Sequence, residues 1–255
     1  SDEWIRERTG IGERHVSVGE TVVTLASESA RKALEQAGKR AEEIDLILVA
    51  TCSPEQYLPC CACQVQADIG AVNALAFDVN AACSGFLFAL NTADAYLRTG
   101  LAENALIIGS EVLSKLVDWT DRGSCILFGD GAGAVVVEQC GAESRAVEYG
   151  NTFSETEKGM QNTTAEEKRI PAGILGRALH SDGTGGGVLQ CGARELTTPY
   201  AGTSAAKADQ NQPTDGREHY IQMDGQEVYR FATRRVPQCI EEALSDAGLD
   251  VPDID

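Results

Sequence analysis

"AFDVNAACSGFLFALNTADAYLRTG", residues 76–100, changes its period halfway along. Its first residues complete the run ALAFDV (74–79), which reads as a strand. From Phe86, the residues Leu90, Ala93 and Leu97 return at helical spacing on one face, and Gly100 stands where such a helix stops. Between the two lies Cys83, flanked by the small residues Ala81, Ala82, Ser84 and Gly85. A cysteine at a strand-to-helix junction meets unpaired amide groups and the positive end of the helix dipole, and that field favours the thiolate. Small neighbours let a substrate carbonyl approach. The local chemistry suits a covalent thioester, although a buried structural cysteine would leave the same trace.

The rhythm extends in both directions. Upstream, TVVTLASESARKALEQAG places Ala26, Ala30, Ala33, Leu34 and Ala37 at helical spacing, with Gly38 as the stop. IDLILVATC (44–52) is a continuous apolar run too short for a helix, as expected of a strand buried on both faces. CACQVQADIG reads as a helix, ALIIGSE as a strand, and GAGAVVVEQC as a further strand after a glycine-rich bend. Strands alternating with helices predict an α/β protein with a mainly parallel sheet covered on both faces.

Order weakens at 142–171, a polar stretch without apolar period that reads as a surface insertion, and again in the loop at 199–218. Helical character returns in MDGQEVYRFATRRVPQCIEEALSDAG. The expected division is a first half over 1–218 and the start of a second over 219–255.

With 39 acidic against 21 basic residues, the net charge of −18 opposes nucleic-acid binding. No apolar run approaches the roughly 20 residues of a membrane span, and SDEWIRERTG lacks the pattern of a secretory signal. Nine cysteines, odd in number, with Cys125, Cys140, Cys191 and Cys239 scattered singly in apolar contexts, suit a reducing cytoplasm and read mostly as buried small hydrophobes. CCAC (60–63) holds a C-x-x-C spacing open to zinc or redox chemistry, but no second pair follows, and it reads as packed residues at a helix start. No metal is expected. FGDGAGA is not read as a phosphate loop, because a strand rather than a helix follows; Gly129, Gly131 and Gly133 are expected to permit close backbone packing.

DVNAACSGFLFAL resembles the nucleophile motif of β-ketoacyl-acyl carrier protein synthase III, a thiolase-fold condensing enzyme. SDEWIRERTGIGERH, DLILVATCSPEQYLPCCACQVQADIGA, TDRGSCILFGDGAGAVVVE, LHSDGTGG and MDGQEVYRFA resemble further segments of that family, in the same order. The resemblance implies a thiolase-like layered α-β-α fold, its first half nearly complete and its second only begun. It implies that Cys83 is the nucleophile and a backbone oxyanion donor, loaded from an acyl-CoA primer and unloaded onto the carbanion formed when malonyl-acyl carrier protein loses carbon dioxide.

By the same resemblance Trp4, Arg8 and Arg122 bind CoA, and Leu58, Met223, Gly225 and Tyr229 border the acyl pocket. Leu58 stands where the family often has phenylalanine, so longer or more branched primers than acetyl are expected to fit. Arg230, Arg234 and Arg235, at i, i+4 and i+5, become docking residues for the acidic carrier protein. The family further implies a homodimer and no cofactor, CoA thioester being a substrate. The histidine and asparagine that promote decarboxylation lie, in relatives, in proline-histidine-glutamine-alanine-asparagine and glycine-asparagine-threonine-serine motifs. Neither motif occurs here, and His15, His180 and His219 match other positions. The sequence is therefore expected to be a partial record of a longer enzyme. A related acyl-transfer enzyme of secondary metabolism, or a non-catalytic partner of the same fold, would share much of this pattern.

Overall fold

A computed structural model of the chain describes residues 1–139, 173–192 and 219–254. The expected insertion at 142–171, the loop at 199–218 and Cys140 lie outside the described residues. The described chain forms α1 (Asp2–Thr9), α2 (Val22–Ala37), β1 (Leu46–Ala50), α3 (Cys61–Ile69), β2 (Leu75–Val79), α4 (Gly85–Thr99), β3 (Asn104–Val112), β4 (Asp130–Glu138), β5 (Leu189–Gln190), β6 (Gln222–Met223) and α5 (Gly225–Ala247). It divides into two units, one of Ser1–Glu138 with Ser181–Thr233, the other of Gln139–His180 with Arg234–Asp255.

In the first unit four strands form one sheet in the order β2-β1-β3-β4. β1 pairs in parallel with β2 and with β3, whereas β4 runs antiparallel to β3 from Val112↔Asp130 to Asn104↔Glu138. All five residues of β1 are buried. Alternation explains how: Ile47 and Val49 join the cluster under α2 and α3, while Leu46, Leu48 and Ala50 join the one under α4. β3 divides likewise, with Leu106 and Ile108 on the first side and Ala105 and Ile107 on the second. A central strand clothed on both faces has no use for polar alternation. That is why 44–52 is unbroken in its hydrophobicity.

The helix ends follow their sequence signals. Thr21 and Thr24 form a reciprocal capping box at the start of α2, and Gly38 closes it in the left-handed region. Ala26, Ala30 and Leu34 are buried as expected, while Ala37, in the last turn, is exposed. α4 buries Gly85, Ala89, Ala93 and Leu97, with Phe86 and Leu90 packed beside them.

Two expectations are corrected. The glycines of FGDGAGA do not form a bend before a strand, because Gly131 and Gly133 lie within β4 itself, opposite Glu111 and Gly109. Of the three glycines expected to permit close packing, only Gly129 does so: a Cβ there would stand 3.0 Å from the His15 carbonyl oxygen, whereas at Gly131 and Gly133 it would meet nothing within 4 Å. The outer edge strand offers room that the inner strands lack.

The scattered cysteines are not mostly buried either. Among the eight described, all free thiols, only Cys61 is buried; Cys125 and Cys239 are half-buried and Cys191 is exposed. Cys191 follows a two-residue strand in a two-stranded ribbon, and α5 buries none of its residues, so neither element has a core to offer. Among the described residues no helix is long and apolar enough to cross a membrane.

In the second unit the N–H of Arg177 donates to Asp246 at 2.9 Å and His180 Nε2 lies 2.5 Å from the Glu242 carboxylate.

Candidate functional site

The site is built at the carboxyl ends of the parallel strands, where open α/β sheets place their ligand crevices. The N–H of Thr51, just past β1, donates to the Val79 carbonyl at the end of β2 at 3.2 Å. Beyond β2 the chain makes a 3-10 turn over Ala82–Ser84 and passes directly into α4. Cys83 lies in that turn, immediately before the helix, and is exposed.

The turn carries backbone strain and is held by close packing. Ala82 has φ of 46°, the only non-glycine residue with positive φ among the described residues. Left-handed backbone costs an L-residue about 1–2 kcal/mol, and such outliers gather at functional sites. Gly85 opens α4 and is buried, and a Cβ there would stand 3.2 Å from Ala50 Cβ and 3.9 Å from the Val79 oxygen. A glycine at this position lets the helix start press against β1, and the turn carrying Cys83 is left at the surface.

The loop after β1 is held by a group that sequence reasoning missed. Glu111, in β3, accepts the Cys52 N–H at 2.8 Å and the Thr51 hydroxyl at 3.2 Å, and is also bonded to the Ser53 hydroxyl. Ser53 Oγ in turn accepts the Val112 N–H at 3.0 Å. One carboxylate thereby ties the loop after β1 to β3. Burial, then the Glu111 charge, pushes the Cys52 thiol up to about 12. Cys52 keeps its proton at neutral pH. Its signal in the sequence, one more cysteine in an apolar context, was indistinguishable from packing.

Asp130 is a second hub. Its carboxylate accepts the Ser17 N–H at 2.7 Å, the Ser114 N–H at 2.8 Å and the Ser114 hydroxyl at 2.6 Å, and its own N–H donates to His15. Burial opposes its ionisation, but those donors win and hold the carboxyl below its usual range. The N-terminal segment is thus fastened to the start of β4, helped by Arg14 Nε donating to the Ile126 carbonyl at 2.7 Å.

The remaining predicted residues fall as follows. The Arg8 guanidinium stacks over the Trp4 ring, 4.7 Å from its centroid, so these two are brought together; Arg122 is exposed. Leu58 is 84% exposed, in the segment just before α3. Met223 is half-buried in β6, whereas Gly225 and Tyr229 are exposed at the start of α5. Arg230 is exposed and paired with Glu227 one turn back; Arg234 and Arg235, also exposed, follow on α5. His15 takes part through its backbone, and the His219 carbonyl accepts the Cys191 thiol at 3.5 Å. Among the described residues no group of three histidine, cysteine or carboxylate side chains could hold a metal ion.

Comparison with known proteins identifies the family and the fold. A family model described as 3-oxoacyl-[acyl-carrier-protein] synthase III matches residues 77–154. The whole chain is 43% identical to the β-ketoacyl-[acyl-carrier-protein] synthase III of Clostridium perfringens strain SM101, covering 67% of it, and 41% identical to that of Clostridium acetobutylicum, covering 66%. The crystal structure of the Thermus thermophilus β-ketoacyl-[acyl-carrier-protein] synthase III superposes with a TM-score of 0.75 at 34% identity, over 100% of this chain and 66% of that one. The chain therefore spans about two thirds of the length of the relatives it matches. The fold is the expected thiolase-like α/β arrangement. On identity over its full length and on shared fold, the chain belongs to the 3-oxoacyl-[acyl-carrier-protein] synthase III family.

Proposed function

We propose that this chain belongs to a cytoplasmic acyltransferase that begins fatty-acid synthesis by condensing an acyl-CoA primer with malonyl-acyl carrier protein. The observation that carries the reading is the exposed Cys83 in a strained turn directly before α4. In the first half-reaction Cys83 Sγ, as thiolate, attacks the carbonyl carbon of the acyl-CoA thioester. The oxyanion that forms is met by backbone N–H groups of the turn, Cys83 among them, and collapses to expel CoA thiolate, leaving an acyl-cysteine. In the second, the carbanion left when malonyl-acyl carrier protein loses carbon dioxide attacks that acyl carbon and returns the Cys83 thiolate.

Trp4 and Arg8 suit the adenine of CoA, because an indole carrying a guanidinium over its face already has the stacking geometry an adenine extends. Arg122 would meet the adenine from its other side. Leu58, Met223, Gly225 and Tyr229 would border the acyl chain, with Leu58 reaching into the pocket of a second subunit. Arg230, Arg234 and Arg235 offer positive charge on an otherwise acidic protein, suited to an acidic carrier protein. CoA enters this scheme as a substrate, and no separate cofactor is needed.

The test is intact-protein mass spectrometry after mixing with acetyl-CoA and with longer acyl-CoAs, with Cys83→Ser as control. An acyl-sized mass gain that disappears in the variant supports the reading. A folded protein that gains no mass, or gains it equally without Cys83, overturns it.

A further inference from the structure

α1 carries Trp4 and Arg8, yet it buries none of its residues, so core packing does not fix where that platform stands. Its position is passed on through the segment that follows. The Ile11 N–H donates to Thr9 Oγ1 at 3.1 Å and Arg6 Nη2 donates to the Gly12 carbonyl at 3.5 Å, folding α1 back on its own exit. Asp130 then grips the chain twice, its N–H donating to the His15 carbonyl at 2.8 Å and its Oδ2 accepting the Ser17 N–H at 2.7 Å. Asp130 opens β4 opposite Val112, so the grip is anchored in the sheet.

The same carboxylate holds a second segment. Ser114 gives its N–H to Oδ1 at 2.8 Å and its hydroxyl to Oδ2 at 2.6 Å. The Ser114 carbonyl accepts Trp119 Nε1 at 3.1 Å, at the head of the stretch that carries Arg122. The far end of that stretch returns to the first segment, because the Ile126 carbonyl accepts Arg14 Nε at 2.7 Å.

We infer that Asp130 is a positioning residue for CoA, its carboxylate clasping the segment that follows Trp4 and Arg8 to the one that leads to Arg122 and so setting the gap that the adenine enters.

The inference rests on the reading in which those three residues take CoA, and adds the group that holds them in register. Two donors share Oδ2, a load that an ionised carboxylate carries and an amide nitrogen cannot. In Asp130→Asn, whichever way the amide turns, one of the two backbone N–H groups faces a donor. One arm of the clasp opens while the other stays closed.

The experiment measures the initial rate of Cys83 acylation against donor concentration in wild type, Asp130→Asn and Ser114→Ala. Two donors are used: acetyl-CoA, and acetyl-N-acetylcysteamine, a thioester without the nucleotide. In Asp130→Asn the half-saturating acetyl-CoA concentration is expected to rise about tenfold at an unchanged saturating rate, with loading from the short donor as in the wild type. Ser114→Ala loses the hydroxyl bond and keeps both N–H bonds; it is expected to shift about threefold, and it carries the test if Asp130→Asn does not fold. Equal loss with both donors, a lower saturating rate alone, or no change would each overturn the inference. Calorimetric titration with CoA separates it from the reading it rests on. A wild type that binds CoA about tenfold more tightly than Asp130→Asn but acylates nowhere keeps the clasp and refutes the acyltransferase. Loading of Cys83 with the same half-saturation in both proteins keeps the acyltransferase and refutes the clasp, and a wild type that binds no CoA overturns both.

Discussion

Glu111 accepts the backbone N–H of Cys52 at 2.8 Å, joining the middle of the sheet to the loop after β1. The same carboxylate helps to hold the Cys52 thiol far above its ordinary value of 9.0. Glu111→Gln removes the charge and leaves the burial, so the Cys52 thiol is expected to ionise at lower pH than in the wild type, yet still above 9.0. The pH dependence of iodoacetamide labelling at Cys52 reports this directly. An unchanged profile would mean that burial is the whole cause.

Cys52 and Cys61 are both pushed up to about 12, burial being the largest cause for each. Below the unfolded thiol value of about 9 both states keep these protons, and the native preference is fully present. As pH rises from about 9 towards 12, the unfolded chain releases protons that the folded one retains, so stability falls through that window. Denaturation midpoints between pH 8 and about 11 are expected to drop. Cys61→Ala should flatten the fall, and an identical slope in that variant would remove Cys61 from the account.

Gly85→Ala puts a methyl 3.2 Å from Ala50 Cβ, with the Val79 backbone behind it. Overpacking of this kind typically costs about 1–3 kcal/mol. Because Gly85 anchors the turn that presents Cys83, the rate of Cys83 acylation is expected to fall together with the melting temperature. A variant that melts lower but acylates at the wild-type rate would show that the turn does not depend on this contact.

Ala82 at φ of 46° invites the opposite change. Glycine relieves the left-handed strain but loosens the unfolded chain, leaving Ala82→Gly neutral to stabilising by about 1 kcal/mol. Ala82→Val, with a branched β-carbon, is expected to destabilise by more than that. Thermal melts of the two variants should move in different directions.

Asp78→Ala deprives α3 of both cap acceptors and is expected to cost about 0.5–2 kcal/mol, measured by denaturant titration. Asp78→Asn, which keeps one acceptor oxygen, should fall between.

Much of this architecture could be read in advance because its causes are local. Gly38 and Gly100 end their helices in the left-handed region, as residues without a Cβ can, and 44–52 is apolar throughout because two faces demand it. Cys83 was placed before its helix by the change of period around it. What escaped notice depends on distant partners. Glu111 reads as a polar residue in a strand until β1 and β3 pair and bring the loop at 51–53 onto its oxygens. Left-handed Ala82 has no signature, since alanine ordinarily avoids that region. The glycines of β4 read as a bend because glycine marks turns more often than it marks an open edge strand.

The contact between Ala50 and Gly85 constrains how this site can diverge. A side chain can enter at 85 only if Ala50 yields, and alanine has little to give up. A larger residue at 85 must therefore be accompanied by a shift of the start of α4, and with it of Cys83. Descendants of this sequence are free to explore the loops around the nucleophile, while this pair, far apart along the chain, must stay nearly silent or change in a single step.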